Sequence, residues 1–221
     1  PTMSRGLGDV YKRQILYIDI DSFVYFNPNI TRNEASQVKN AVLAALTVLN
    51  SSGEFNKFGG KFKYSRLQSI IDGSEVSITS NITRLKMRKN VDVTLGARVN
   101  YKICYGNRIK QGTSLKPCVY SSGFKVVGDD FNTYYLNDDG AGLLRLYYIK
   151  GTGEFEYVDG LWGSVDYNMG EIVVNDLIIS STSVANNQLQ IAASPESNDL
   201  ISLRETYLTI GIDNTTVSVI E

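Results

Sequence analysis

Three pairs of carboxylates are the first residues here whose type and spacing could do chemistry: Asp19 with Asp21, Asp129-Asp130 and Asp138-Asp139. Glycoside hydrolysis needs two carboxyl groups about 5–10 Å apart across a cleft. Residues i and i+2 of one strand stand about 7 Å apart on the same face, so the distance admits Asp19 and Asp21. Nothing else around them suggests a sugar site. Asp138-Asp139-Gly140 is most simply a turn, and calcium ligation there lacks the spacing of an EF-hand loop. The chain has no histidine, which removes Ser-His-Asp and Cys-His catalysis, His-ligated metals and the usual general base near neutral pH. Gly59-Gly60-Lys61 does not have the G-x-x-x-x-G-K-[ST] spacing of a phosphate loop. Its glycines read as a tight turn between Phe58 and Phe62. The sequence therefore predicts no catalytic residue, no cofactor and no metal site. Cys104 and Cys118 are too few for a zinc site and read as two unpaired thiols, with a disulfide as the alternative.

The cations are the more informative set. Arg84, Lys86 and Arg88 recur every second residue, which places all three on one face of a strand, opposite Leu85 and Met87. Lys61, Lys63 and Arg66 precede them. Such a row reads as a solvated or edge-protecting face, as a protein interface, or as a polyanion site. Aromatic platforms, which single-stranded nucleic acid would need, are absent from the row itself.

The elements that must position these residues follow from periodicity. Residues 15–28 alternate, with Leu16, Ile18, Ile20, Val24 and Phe26 on one face and Tyr17, Asp19, Asp21 and Tyr25 on the other, the pattern of a half-buried strand. Thr31 and Glu34 fit a capping box, and Ala35, Val38, Ala41, Val42, Ala45, Leu46 and Leu49 form a helical stripe. Ser65 is placed to cap a short second helix reaching Ile71. From residue 75 the period becomes two. Beyond residue 96 short strands alternate with turn signals, including Tyr167-Asn168-Met169-Gly170 as a hairpin. Tyr134, Tyr135, Tyr147, Tyr148, Tyr157, Trp162 and Tyr167 sit in or beside these strands, where cross-strand packing accounts for most of them.

The expected fold class is α+β: a strand–helix α+β module over 15–96, then an antiparallel β-rich domain over 97–221. The first fourteen residues, unlike the rest, read as an adapter-like leader from a metagenomic reading frame and are set aside. Hydrophobic residues are 43 % and charged residues 20 % of the 221, ordinary for a globular protein, and no apolar run is long enough to span a bilayer. Residues 1–110 hold 17 Lys+Arg against 8 Asp+Glu, a balance of +9, whereas 111–221 hold 5 against 15, a balance of −10. Such a split suits two modules with different neighbours, or copies that meet head to tail.

In this order the pieces resemble the C-terminal part of a baseplate wedge subunit from T-even-type contractile-tailed phages, within the wider J-like baseplate family. The resemblance rests on the strand and helix over 15–49, on F-N-K-F-G-G-K-F-K-Y-S-R-L at 55–67, and on I-I-D-G-S-E-V-S-I-T-S-N-I-T with R-L-K-M-R-K at 70–89. It continues in G-S-V-D-Y-N-M-G-E-I-V-V-N at 163–175 and R-E-T-Y-L-T-I near the end. It implies a structural virion protein of the tail baseplate, made in the host bacterial cytoplasm, with other copies of itself and other wedge proteins as partners. Neither membrane, nucleic acid nor a small-molecule substrate is expected. Arg84, Lys86, Arg88, Lys61, Lys63 and Arg66 are then the candidate protein interface. The alternatives are a carbohydrate-binding β domain, which requires several exposed coplanar rings, and a polyanion-binding module.

Overall fold

β1 (Gln14–Phe26) is the organising strand of the computed structural model, which describes residues 14–203 and 205–221. The adapter-like leader lies outside the described residues except for Gln14, which opens β1. Leu16, Ile18, Ile20, Val24 and Phe26 are all buried, as the alternation requires. Ser22 is buried among them because its hydroxyl finds that of Thr83 at 2.8 Å.

α1 (Ala35–Ser51) buries Val38, Val42, Leu46 and Leu49. Its N-cap is Glu34 rather than Thr31, and the Gln37 side-chain oxygen accepts the Glu34 N–H at 2.9 Å. Thr31 serves the turn before it, its hydroxyl accepting the Asn33 N–H. β2 (Lys61–Phe62) follows, then α2 (Tyr64–Asp72), which buries Leu67 and Ile71. Ser65 is not the cap of α2. Lys63 holds that position, and the first helical N–H, of Tyr64, is taken by the Asp199 carboxylate at 2.8 Å.

β3 (Ile78–Asp92) runs antiparallel to β1, with Ile18 opposite Met87 and Asp21 opposite Arg84. β4 (Arg98–Cys104), β5 (Val119–Ser121), β6 (Phe124–Val126) and β7 (Asp129–Asp138) begin the later part. β8 (Leu144–Ile149), β9 (Phe155–Val158), β10 (Gly163–Asp166) and β11 (Glu171–Thr182) continue it. β10 and β11 form the expected hairpin, with Gly170 at φ 66° in its turn. β12 (Gln188–Ala193), β13 (Leu200–Ile201), β14 (Thr206–Ile210) and β15 (Thr216–Ile220) close the chain.

Among the described residues thirteen strands join one sheet: nine follow the path β10-β11-β6-β7-β5-β12-β3-β1-β14, β15 adds to β1, β4 to β11, β8 to β7 and β9 to β8, while β2 and β13 pair separately. Pairing across this sheet corrects the expected α+β class. Among the described residues strands dominate, at 50 % against 15 % helical with two α-helices, so the fold is β-rich. The strand–helix stretch is not a balanced α+β module because strands from the far end of the chain complete its sheet. β12 pairs with β3, and β14 and β15 both lie parallel to β1, along Gln14–Ile18 and Asp21–Tyr25. The two helices cover one face of that sheet. Strand partners are chosen by register across long separations, which local periodicity does not report.

Candidate interaction surface

The basic row on β3 divides once its surroundings are in place. Arg84 and Lys86 are exposed, as strand alternation predicts. Arg88, on the same face, is only 6 % exposed and is bound to Asp19, 8 % exposed. Its Nε lies 2.6 Å from one carboxylate oxygen of Asp19 and its Nη2 3.0 Å from the other, a bidentate pair. Nη1 donates to the Asn90 side chain at 2.7 Å, and the guanidinium stacks 4.3 Å from the centre of the Tyr17 ring. The connection from β14 to β15 closes over this pair. At Gly211 a Cβ would stand 2.1 Å from Asp19 Oδ1 and 2.7 Å from Arg88 Nη2, so close approach, not a special φ, demands glycine there. Arg88 therefore binds within the chain.

Lys61, Lys63 and Arg66 lie on the helical side of the sheet, away from Arg84 and Lys86. They rim a groove of about 320 Å³ floored by Leu49, Phe55 and Phe62. Arg66 pairs there with Glu54 at 3.2 Å in an exposed bridge, worth little in water. The Gly59-Gly60 turn is what seats this groove. Gly59 takes φ 66°, a Cβ on Gly60 would meet the Phe55 carbonyl, and the Phe55 and Phe62 rings meet edge-on at 5.2 Å. The structure thus sets five of the six candidate cations in two separate groups and withdraws Arg88 into its pair with Asp19.

The carboxylate pairs resolve as structural elements. Asp129 accepts the N–H groups of Phe131 and Asn132, the Asn132 amide and the Tyr134 hydroxyl, and these bonds hold its carboxyl far below the usual range. Asp139 builds the turn after β7, accepting the N–H groups of Ala141 and Leu143. Asp138 is fully buried, and its oxygens accept the N–H groups of Cys118 and Val119 at 2.7 and 2.8 Å and the Tyr167 hydroxyl at 2.7 Å. Burial, then the hydrogen bond to Asp138, pushes the Tyr167 phenol well above its ordinary value. No group of three His, Cys, Asp or Glu placed to hold a metal occurs among the described residues. Cys104 and Cys118 are both free, and burial raises the Cys118 thiol.

The tyrosine-rich strands are a cross-strand ladder. Tyr134 and Tyr148 meet edge-on at 5.5 Å, Tyr135 and Tyr147 stack at 5.6 Å, and Tyr147 is tilted by 47° against Tyr157. Tyr134 and Tyr147 are buried, and Trp162 packs against the core and donates to the Val158 carbonyl at 3.0 Å. These rings do not make the coplanar exposed platform that a sugar-binding face requires.

Two functional details escaped the sequence. Asp19 was legible only as half of a carboxylate pair; its place diagonally across from Arg88, two residues beyond the Tyr17 that Arg88 faces on the paired strand, is the cue that would identify its true partner. Lys89 alternates onto the opposite face from the basic row and is buried, with its ammonium donating to the Gln14 side-chain oxygen at 2.5 Å. It lines a cavity of about 450 Å³ with Lys102 and Cys104, and burial lowers its pKa from the usual lysine value.

Residues 14–90 match the family described as baseplate structural protein gp6, C-terminal domain III. The matched segment runs from the start of β1 nearly to the end of β3 and so contains both cation groups. It is less than half of the chain, and it supports a structural protein of a phage baseplate. No curated protein matches the chain.

Proposed function

We propose that this chain is a wedge subunit of a contractile-tail baseplate, of the J-like kind, that associates with copies of itself and with neighbouring baseplate proteins around the tail hub. Its place is the tail baseplate of the virion, and its synthesis is in the host bacterial cytoplasm. One observation carries this reading: the segment similar to the baseplate family is also the one that presents exposed cations on both sides of its sheet. Arg84 and Lys86 on one side, and Lys61, Lys63 and Arg66 on the other, serve as the contact surfaces, and the opposite charge of the later residues orients neighbours.

Light scattering of the chain at low and at high salt tests the self-association. Because Debye screening shortens from about 30 Å at 0.01 M to about 3 Å at 1 M salt, contacts made by exposed charges weaken across that range. A dimer or larger species that dissociates as salt rises is the expected result. A monomer under both conditions at high protein concentration would overturn self-association through these surfaces.

A further inference from the structure

The face that carries Arg84 and Lys86 is unfinished along β3. Between Ile78 and Lys86 this strand has β1 on one side only, because β12 joins its other side from Met87 onward. Among the described residues no strand lies on the open side. The residues directly opposite the two cations on β1 are carboxylates, Asp21 facing Arg84 and Asp19 facing Lys86, and cross-strand pairs of that kind ordinarily neutralise each other. Among the described residues neither carboxylate forms an ion pair with the cation opposite it. Asp19 is spent on Arg88, and Asp21 accepts the Thr216 hydroxyl from β15 at 2.7 Å. Arg84 and Lys86 are left without an anionic partner among the described residues, two positions apart, beside an open strand edge. Ile82, next on the same face, is 53 % exposed, with Phe23 half-buried opposite it.

We propose that the open edge of β3 between Ile78 and Lys86 docks an extended acidic segment of a neighbouring protein by strand addition, with carboxylates at alternate positions facing Arg84 and Lys86. This deepens the assembly reading and rests on it for the existence of a neighbour. A strand repeats its side chains on one face about every 7 Å, so residues i and i+2 of the incoming segment fall into register with the two cations. An apolar residue two further along meets Ile82. The Tyr64 hydroxyl already takes the Thr83 carbonyl at 2.6 Å, and the other backbone groups of the edge supply the pairing. The same cations repel a basic strand, so the edge selects by charge as well as by shape. Nucleic acid fits less well: among the described residues only Arg84 and Lys86 stand unpaired along this edge, too few for a track of phosphates.

Selection of a random dodecapeptide display library on the whole chain tests this directly. The expected peptides carry carboxylates two residues apart among β-forming residues, and they slow amide exchange at residues 79–86. They bind R84E/K86E about tenfold or more weakly, in line with close charge pairs at interfaces, and that variant enriches Lys/Arg peptides instead. Peptides without carboxylates, equal binding to R84E/K86E, or protection of another element would overturn the proposal, as would binding of an oligothymidylate at this edge in place of peptides. The selection uses no baseplate component, so its failure counts against the docking edge alone. Normal tail assembly with R84E/K86E would count against the baseplate role of the surface.

Discussion

Replacing Asp19 by alanine isolates the energetics of the buried pair. In the native chain its carboxylate receives two charge-assisted hydrogen bonds from Arg88, at 2.6 and 3.0 Å, and both side chains are nearly sealed from water. After Asp19→Ala the guanidinium keeps only Asn90 and the Tyr17 ring, and Gly211 still closes over it. A buried charge stripped of its partner costs about 3–5 kcal/mol, whereas replacing both members by apolar residues of similar volume is often neutral or stabilising. Urea unfolding of wild type, Asp19→Ala, Arg88→Met and the D19L/R88M double variant therefore has a defined expectation. The unfolding free energy of Asp19→Ala falls by about 3–5 kcal/mol, seen as a lower urea midpoint at unchanged slope, and the double variant recovers most of that loss. A loss below about 1 kcal/mol for Asp19→Ala, the range of exposed pairs, would refute the burial argument. So would a double variant that recovers none of the Asp19→Ala loss.

Three further outcomes follow from particular contacts. Gly211→Ala inserts a methyl against the Asp19 carboxylate and lowers stability by about 1–3 kcal/mol in thermal or urea unfolding, even though its φ of −79° suits alanine. Tyr167→Phe removes one of three hydrogen bonds to the fully buried Asp138 and costs about 1–3 kcal/mol by urea unfolding. Lys89→Met raises stability at neutral pH: with the folded-state pKa lowered, the unfolded chain binds the extra proton. The burden of the buried ammonium is thus present below the lowered pKa and disappears as pH climbs toward the free lysine value of 10.5. Unfolding of both proteins across pH 7–10.5 should show their difference shrinking, and a constant difference would contradict this assignment.

Much of the local structure was legible because it depends on neighbours in the chain. The alternation of β1, the apolar stripe of α1, the Gly59-Gly60 turn and the β10–β11 hairpin are set by side-chain periods of 2 and 3.6 and by turn chemistry. The caps were less legible. Thr31 and Ser65 have the right chemistry, but α2 takes its cap from Asp199, more than a hundred residues away, which no local motif encodes.

What the sequence by itself determined is the face on which each strand residue lies, the absence of histidine chemistry and the basic character of the β3 row. What only the tertiary structure decided is what covers each face. Arg84, Lys86 and Arg88 are equivalent by period, yet Gly211 and Asp19 bury the third and leave the other two exposed. Likewise α1 marked a helical layer, but the parallel addition of β14 and β15 to β1 made the fold β-rich. The reason is that a side-chain period reports direction relative to its own backbone, whereas burial and pairing depend on segments that arrive from elsewhere in the chain.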